Sequence, residues 1–355
     1  KSAFGHAGQK CSAASLAIIE ASVYDDPSFH IRLADATRSL CVGEATDFNN
    51  IVGPLISPPT GNLLRALTTL EHGESWLTEP AKINERTYTP GIRRDVKPNS
   101  WFHLTECFGP VLGLMRANDL THALQLQNAT EYGLTGGIQS LDPSEIEYWL
   151  ANAQVGNAYV NRHITGAIVE RQPFGGWKKS SIGPGSKPGG PNHLSGYGNW
   201  MDQNIDIDQA VADYSTQWNE YFTKEHDAAG LRSEANILRY FPVDKVFVRC
   251  SDPTVPQIDL LRAASALTGV PLEISVDSDE SEVALGNRMQ QSRGEVRLRV
   301  LTPATVDLYE LANKAGVTID TAPVTGSGRL ELTHWVKEQS ISRTMHRYGR
   351  LLNQS

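Results

Sequence analysis

From residue 245 to residue 319 the chain changes its hydrophobic period every few residues, and that alternation constrains the fold more than any other feature. Residues 245–249 (KVFVR) read as a buried strand, 257–268 as a helix and 271–276 as a second strand. Residues 282–291 then read as a helix, 296–301 as a strand, 305–315 as a helix closed by Gly316, and 317–319 as a short strand. Strands and helices of these lengths in strict succession build right-handed βαβ units, which predicts a parallel-sheet α/β domain. The first strand is followed by Cys250, Ser251, Asp252 and Pro253 rather than by G-x-G-x-x-G. Without those glycines the backbone cannot close on a pyrophosphate, so a Rossmann-like shape here need not bind a dinucleotide.

The earlier part of the chain is built from different material. Residues 1–200 hold 22 of the 30 glycines and 13 of the 19 prolines, so many turns are set between apolar runs such as 15–23, 111–115 and 158–160. This too reads as α/β. Residues 186–199 (SKPGGPNHLSGYGN) are too rich in Gly, Pro and Asn for a helix or a central strand and are expected to form irregular surface chain. Residues 209–225 place Tyr214, Trp218, Tyr221 and Phe222 on one helical face, as a connecting amphipathic helix would. The predicted organisation is a domain over 1–200, a connecting helix within 201–230 and a second domain over 231–355.

The formal charge of −8 gives no basic footprint for nucleic acid or anionic lipid. No apolar run reaches the roughly 18 residues of a membrane-spanning helix, and residues 1–9 lack a signal-peptide pattern, so no stable membrane insertion and a cytoplasmic location are expected. Cys11, Cys41, Cys107 and Cys250 include no C-x-x-C pair, and the ten histidines form no pair at ligand spacing, so neither a disulfide framework nor a metal site is expected. Cys41, Cys107 and Cys250 read as small buried hydrophobes.

Cys11 is set apart by its surroundings. Small residues (G-Q-K-C-S-A-A, 8–14) lead into the apolar run 16–19, which predicts a thiol at or near a helix N-terminus. There the helix dipole and free N–H groups would favour the thiolate, which can attack a carbonyl carbon while its own N–H helps to hold the oxyanion. A buried structural cysteine is the alternative.

The segment F-G-H-A-G-Q-K-C-S at residues 4–12 resembles the nucleophile segment of the aldehyde dehydrogenase superfamily. Residues 106–111 (ECFGPV) are similar to its E-x-F-G-P-V motif, residues 172–178 (QPFGGWK) to its P-F-G-G segment, and residues 128–142 add a fourth family-like stretch. Within the family, residues 161–178 (NRHITGAIVERQPFGGWK) resemble L-glutamate γ-semialdehyde dehydrogenases, also called pyrroline-5-carboxylate dehydrogenases. The small-residue loop Thr165-Gly166-Ala167 supports that choice physically, because its N–H groups can approach an α-carboxylate closely. The resemblance implies that Ser12, Gly166 and Ala167 hold the amino-acid end of the substrate and that Phe174 packs on its aliphatic part. It also implies NAD as cofactor, with Glu106 accepting hydrogen bonds from the nicotinamide ribose and Phe108 packing near the nicotinamide. An ionised carboxylate matches a diol in this way.

A glycine-poor α/β domain and the tail of residues 338–349 (EQSISRTMHRYG) resemble the C-terminal region of the proline utilization A (PutA) family of bifunctional proline catabolic enzymes. In longer members an additional, non-catalytic aldehyde-dehydrogenase-like domain helps to enclose the path between two active sites. The basic cluster Arg343, His346, Arg347 and Arg350 reads as a solvated or docking face, with phosphate binding as the alternative.

In the family, the glutamate base that hydrolyses the thioester, the oxyanion asparagine and most of the dinucleotide site precede the nucleophile. No E-x-G-G segment occurs in this sequence, and ten residues precede Cys11. The expected partners are therefore an upstream NAD-binding region and a proline dehydrogenase region, which would carry FAD, on the same enzyme. The isolated chain is expected to be inactive, and a homo-oligomer is possible. Rival readings are an aldehyde dehydrogenase of other specificity and a non-enzymatic lid or scaffold.

Overall fold

The computed structural model describes residues 1–352 apart from residues 182, 184, 185, 199, 203, 348 and 349. Asn199, the end of the predicted surface segment, and Tyr348 and Gly349 of the tail lie outside the described residues. The chain divides into two compact units, Lys1–Gly166 and Ala167–Ser355.

The first unit is organised on strands β1 (Leu16–Glu20), β2 (Ser75–Thr78), β3 (Gly91–Arg94) and β4 (Val111–Ala117). Their order in the sheet is β1-β4-β3-β2. Strand β4 lies parallel to both β1 and β3, whereas β2 is antiparallel to β3. β4 reads VLGLMRA and is buried at every position except Arg116, as a strand covered on both faces requires. The unit also contains helices α1 (Pro27–Arg38), α2 (Gly61–Thr68), α3 (Leu120–Asn128) and α4 (Pro143–Asn152), of which α3 packs on β1 and β4, and a further parallel pair formed by β5 (Thr135–Ile138) and β6 (Asn157–Val160). Asp26, Asp119 and Asp142 cap α1, α3 and α4 by accepting hydrogen bonds from Ser28, His122 and Ser144 at 2.8, 2.7 and 2.8 Å. Leu114, Met115, Ile92 and Phe102 form the centre of the core.

In the second unit α5 (Ile207–Gln217) precedes the antiparallel pair formed by β7 (Glu234–Pro242) and β12 (Val336–Thr344). Between them run β8 (Lys245–Cys250), α6 (Pro256–Thr268), β9 (Leu272–Val276), α7 (Glu282–Gln291), β10 (Val296–Val300), α8 (Val306–Ala315) and β11 (Thr318–Asp320). The four inner strands form an all-parallel sheet of order β9-β8-β10-β11, as the alternation of period predicts. Gly316 ends α8 in the left-handed conformation, φ 68°. The predicted connecting helix is α5 continued by a π-helical turn, Trp218–Phe222, with Tyr214 and Phe222 buried.

Three expectations differ from the structure. The apolar run after Cys11 is strand β1, not a helix, so no helix dipole acts on that thiol. Its β-branched pair Ile18–Ile19 suits a pleated surface, and its hydrogen bonds go to β4. Cys41 is exposed, whereas Cys107 and Cys250 are buried. Residues 186–198 contain a 3-10 helical turn, His193–Tyr197, within otherwise irregular chain and are not wholly at the surface, since Lys187 and Asn192 are each 4% exposed. The composition break near residue 200 thus lies inside the second unit, where Gln172, Pro173, Trp177, Lys187 and Asn192 are hydrogen-bonded to the β7/β12 pair.

Candidate active site

The geometry around Cys11 follows from strand register. Parallel strands β1 and β4 pair Leu16 with Gly113. Cys11 lies five residues before Leu16 and Phe108 five before Gly113, so the loops that enter the two strands sit side by side. Gly113 N–H donates to Ser15 O at 2.9 Å where they converge. Above that point the loops touch through Gly8, where a β-carbon would overlap the carbonyl of Gly109.

The turn that delivers Cys11 is wound the wrong way for L-residues. His6, Ala7 and Gly8 are all left-handed, with φ of 53°, 54° and 68°. Holding two side-chain-bearing residues there costs about 1–2 kcal/mol each. The surrounding structure holds the turn: Ala7 is 1% exposed, and the Gln9 side chain accepts a hydrogen bond from Ile56 N–H at 2.9 Å. Cys11 emerges from the following turn as an exposed thiol, with Ser12 buried beneath it.

The second loop carries a matching strain. After the single helical turn Trp101–Leu104, Glu106 is exposed and Phe108, 39% exposed, is held at φ 54°. Cys107 between them is buried, and burial pushes its thiol up to about 11, so it stays protonated at neutral pH. The loop thus presents a carboxylate and an aromatic face outward and an inert thiol inward.

Ser2 ties in the segment that leads to Gly166. Its carbonyl accepts from Ala14 N–H at 3.0 Å, and its hydroxyl accepts from Ile164 N–H at 3.2 Å, two residues before Gly166. Gly166 is exposed at φ 83°, a conformation that glycine adopts without strain. The first unit therefore gathers Cys11, Ser12, Glu106, Phe108 and the approach to Gly166 at one end.

Ala167 and Phe174 belong to the second unit. There Phe174 lines a cavity of about 780 Å³ with Lys187, His193, Asp320 and His334. The residues flanking Phe174 are bound to β7 and β12. Pro173 O accepts from Ser340 Oγ at 2.6 Å, Trp177 Nε1 donates to Glu338 O at 2.8 Å, and Phe174 N–H donates to Pro188 O at 3.0 Å. The Glu338 carboxylate accepts from Lys187 N–H and from Asn192 Nδ2, both at 2.7 Å. Burial pushes Glu338 above the usual carboxylate range despite these donors. None of these contacts was read from the sequence, although the alternation Glu338, Ser340, Ser342 is a signal: three polar residues on one face of a strand require buried polar partners. Of the basic tail cluster, His346, Arg347 and Arg350 are exposed and Arg343 is half-buried. Among the described residues, no cluster of three or more His, Cys, Asp and Glu is placed to hold a metal ion, and no helix is long and apolar enough to cross a membrane.

The loop that carries the exposed Cys11 just after its strained turn packs on the loop that presents Glu106 and Phe108, so two of the family-like motifs lie side by side. The sequence profile of the aldehyde dehydrogenase family matches residues 1–201, and the chain belongs to that family. It is 40% identical over 196 residues to a 1-pyrroline-5-carboxylate dehydrogenase of Geobacillus sp. (strain WCH70), covering 54% of this chain and 37% of that protein. To the enzyme of the same name from Bacillus subtilis (strain 168) it is 39% identical over 197 residues, again 54% and 37%. The chain thus spans little more than a third of the length of these relatives. Among solved structures, proline utilization A (PutA) from Corynebacterium freiburgense matches 99% of this chain and 37% of that one, with a TM-score of 0.89 and 44% identity. PutA from Bdellovibrio bacteriovorus matches 55% of this chain and 20% of that one, with a TM-score of 0.50 and 40% identity.

Proposed function

We propose that this chain carries the nucleophile and substrate loops of an NAD-dependent L-glutamate γ-semialdehyde dehydrogenase within a longer, PutA-like enzyme. The observation that carries the reading is the packing of the Cys11 loop on the Glu106–Phe108 loop through Gly8 and Gly109. Likeness to a PutA over 99% of the chain supports it.

Cys11 Sγ, as thiolate, bonds to the aldehyde carbon, and its backbone N–H is a donor for the oxyanion that forms. The residues present suit NAD: the exposed Glu106 carboxylate can accept both ribose hydroxyl hydrogens, and the outward ring of Phe108 can pack beside the nicotinamide. Bound there, NAD would supply the hydride acceptor for the carbon bonded to Sγ. The thioester left on Sγ is attacked by water, the C–S bond breaks, and L-glutamate leaves as the thiol is restored. Ser12, Gly166 and Ala167 hold the amino-acid end of the substrate, and Phe174 packs on its methylenes.

On this reading residues 1–200 are the later part of the dehydrogenase domain, 201–230 contain a connecting helix and 231–355 form an aldehyde-dehydrogenase-like domain without catalytic residues. Upstream regions supply the remaining NAD contacts, the hydrolytic base and an FAD-dependent proline dehydrogenase. We assign the enzyme to the cytoplasm, where unpaired thiols such as Cys11 and Cys41 stay reduced.

The test is NADH formation by the full-length enzyme with L-glutamate γ-semialdehyde. Steady turnover that Cys11→Ser abolishes is the expected result. Turnover that survives Cys11→Ser overturns the proposal.

A further inference from the structure

Gln172 is 2% exposed and uses both ends of its carboxamide. Its Oε1 accepts a hydrogen bond from Ile168 N–H at 2.8 Å. Backbone bonds from Arg171 N–H and Gln172 N–H to Ile168 O, at 3.1 and 2.9 Å, complete a closed turn immediately after Ala167. At its other end, Nε2 lies 2.8 Å from Glu234 Oε1, 2.5 Å from Asn236 Oδ1 and 3.2 Å from Ser342 Oγ. An amide nitrogen has two hydrogens for these three acceptors, and the Ser342 hydroxyl closes the set by donating to Asn236 Oδ1 at 3.1 Å. The next residue, Pro173, is held by Ser340 Oγ on the same face of β12, and Phe174 follows.

This position demands an amide. A glutamate would set a second carboxylate against Glu234 and lose the donor, and a leucine would remove the acceptor for Ile168 N–H and the amide donor to Glu234 and to the buried Asn236, which would keep only the Ser342 hydroxyl at 3.3 and 3.1 Å from this set. Within the second unit, the turn that starts beside Ala167 and the residue that precedes Phe174 are thus anchored to the β7/β12 pair through one side chain.

We infer that Gln172 is a positioning residue that fixes Ala167 relative to Phe174 and thereby sets the length of aldehyde the site accepts. The inference rests on the proposed function, in which Ala167 binds the carboxylate end of the substrate and Phe174 its methylenes. A site whose two contacts are held at fixed separation discriminates between homologues differing by one methylene. When the separation is free to relax, that discrimination falls while the chemistry at Cys11 continues.

The experiment compares the full-length enzyme with Gln172→Ala and with the milder Ser340→Ala, which frees Pro173 alone. In Gln172→Ala the KM for L-glutamate γ-semialdehyde should rise about tenfold with kcat within about twofold, since only binding geometry is loosened. Preference for that substrate over L-aspartate β-semialdehyde, shorter by one methylene, should fall about fivefold. Ser340→Ala should move KM and preference the same way, by about threefold. Hydrogen exchange at the Ile168, Gln172 and Phe174 amides should speed up in Gln172→Ala whether or not the enzyme is active. Unchanged preference in both variants, a fall of kcat in step with kcat/KM, or unchanged amide protection overturns the inference while leaving the proposed function standing. Absence of turnover in the unmodified enzyme instead overturns the proposed function, and the exchange rates then decide the anchoring role on their own.

Discussion

Gly8 and Gly109 meet backbone to backbone, so closely that neither loop leaves room for a β-carbon on Gly8. Gly8 also sits at φ 68°, where an L side chain is strained even in open space. Gly8→Ala should therefore lower unfolding free energy by about 2–4 kcal/mol, read from urea denaturation, through steric overlap added to backbone strain. Gly5, three residues earlier, has open space around its Cα, and Gly5→Ala should stay within about 0.5 kcal/mol. Equal effects of the two would show that the loops do not pack as described.

Phe108 offers a separation of stability from activity. At φ 54° the phenylalanine is strained, and glycine would relieve that strain while increasing the freedom of the unfolded chain. Phe108→Gly should leave stability within about 1 kcal/mol but reduce kcat/KM for NAD at least about tenfold, through loss of the proposed ring contact. A wild-type kcat/KM for NAD in that variant would remove Phe108 from the cofactor site.

Thiol labelling of the native protein should divide the four cysteines evenly. Cys11 and Cys41 are exposed and should react with iodoacetamide at pH 8, while buried Cys107 and Cys250 should not. The Cys107 thiol is pushed up to about 11 by burial, so its labelling should stay slow until the pH nears that value or the protein unfolds. Mass spectrometry of tryptic peptides reads all four sites in one experiment.

In the second unit the fully buried Arg299 lies between two carboxylates, 3.0 Å from Glu331 Oε1 and 3.4 Å from Asp320 Oδ2. Arg299→Met should destabilise by about 3–5 kcal/mol, because it leaves the buried Glu331 without its cation and Asp320 with His334 alone. Burial alone would raise the Asp320 carboxyl, but Arg299 and His334 beside it outweigh burial and hold it well below the usual carboxylate range. The unfolded chain then takes up a proton on this carboxyl at a higher pH than the folded one. The stability Asp320 contributes is complete above the ordinary carboxylate range and is lost as pH falls through the depressed folded value. Asp320→Asn should flatten that acid limb of a stability–pH profile.

How much could be read in advance differed from element to element, for physical reasons. The run from β8 to β11 was legible almost to the residue, because each element there has its own period and stop signal, such as Gly316 after α8. Strand β1 was misread because LAIIE is short and continuously apolar, and periodicity cannot tell such a run from a buried helix. Cys11, Glu106 and Phe108 stood out through motif likeness. The strain at His6, Ala7 and Phe108 did not, since non-glycine residues carry no mark of a left-handed backbone. The contacts of Gln172 were invisible for another reason. They join residues 62, 64 and 170 positions apart, and nothing local to Gln172 announces Glu234, Asn236 or Ser342.

That last separation sets a schedule for synthesis. The segment carrying Phe174 leaves the ribosome long before Ser340 and Ser342, which hold it. At about 5–20 residues per second the wait is about 10–30 s, during which Gln172 and Pro173 lack their partners on β12. A ribosome that stalls before residue 340 would leave a chain that already holds Cys11 but lacks the partners that fix the segment carrying Phe174.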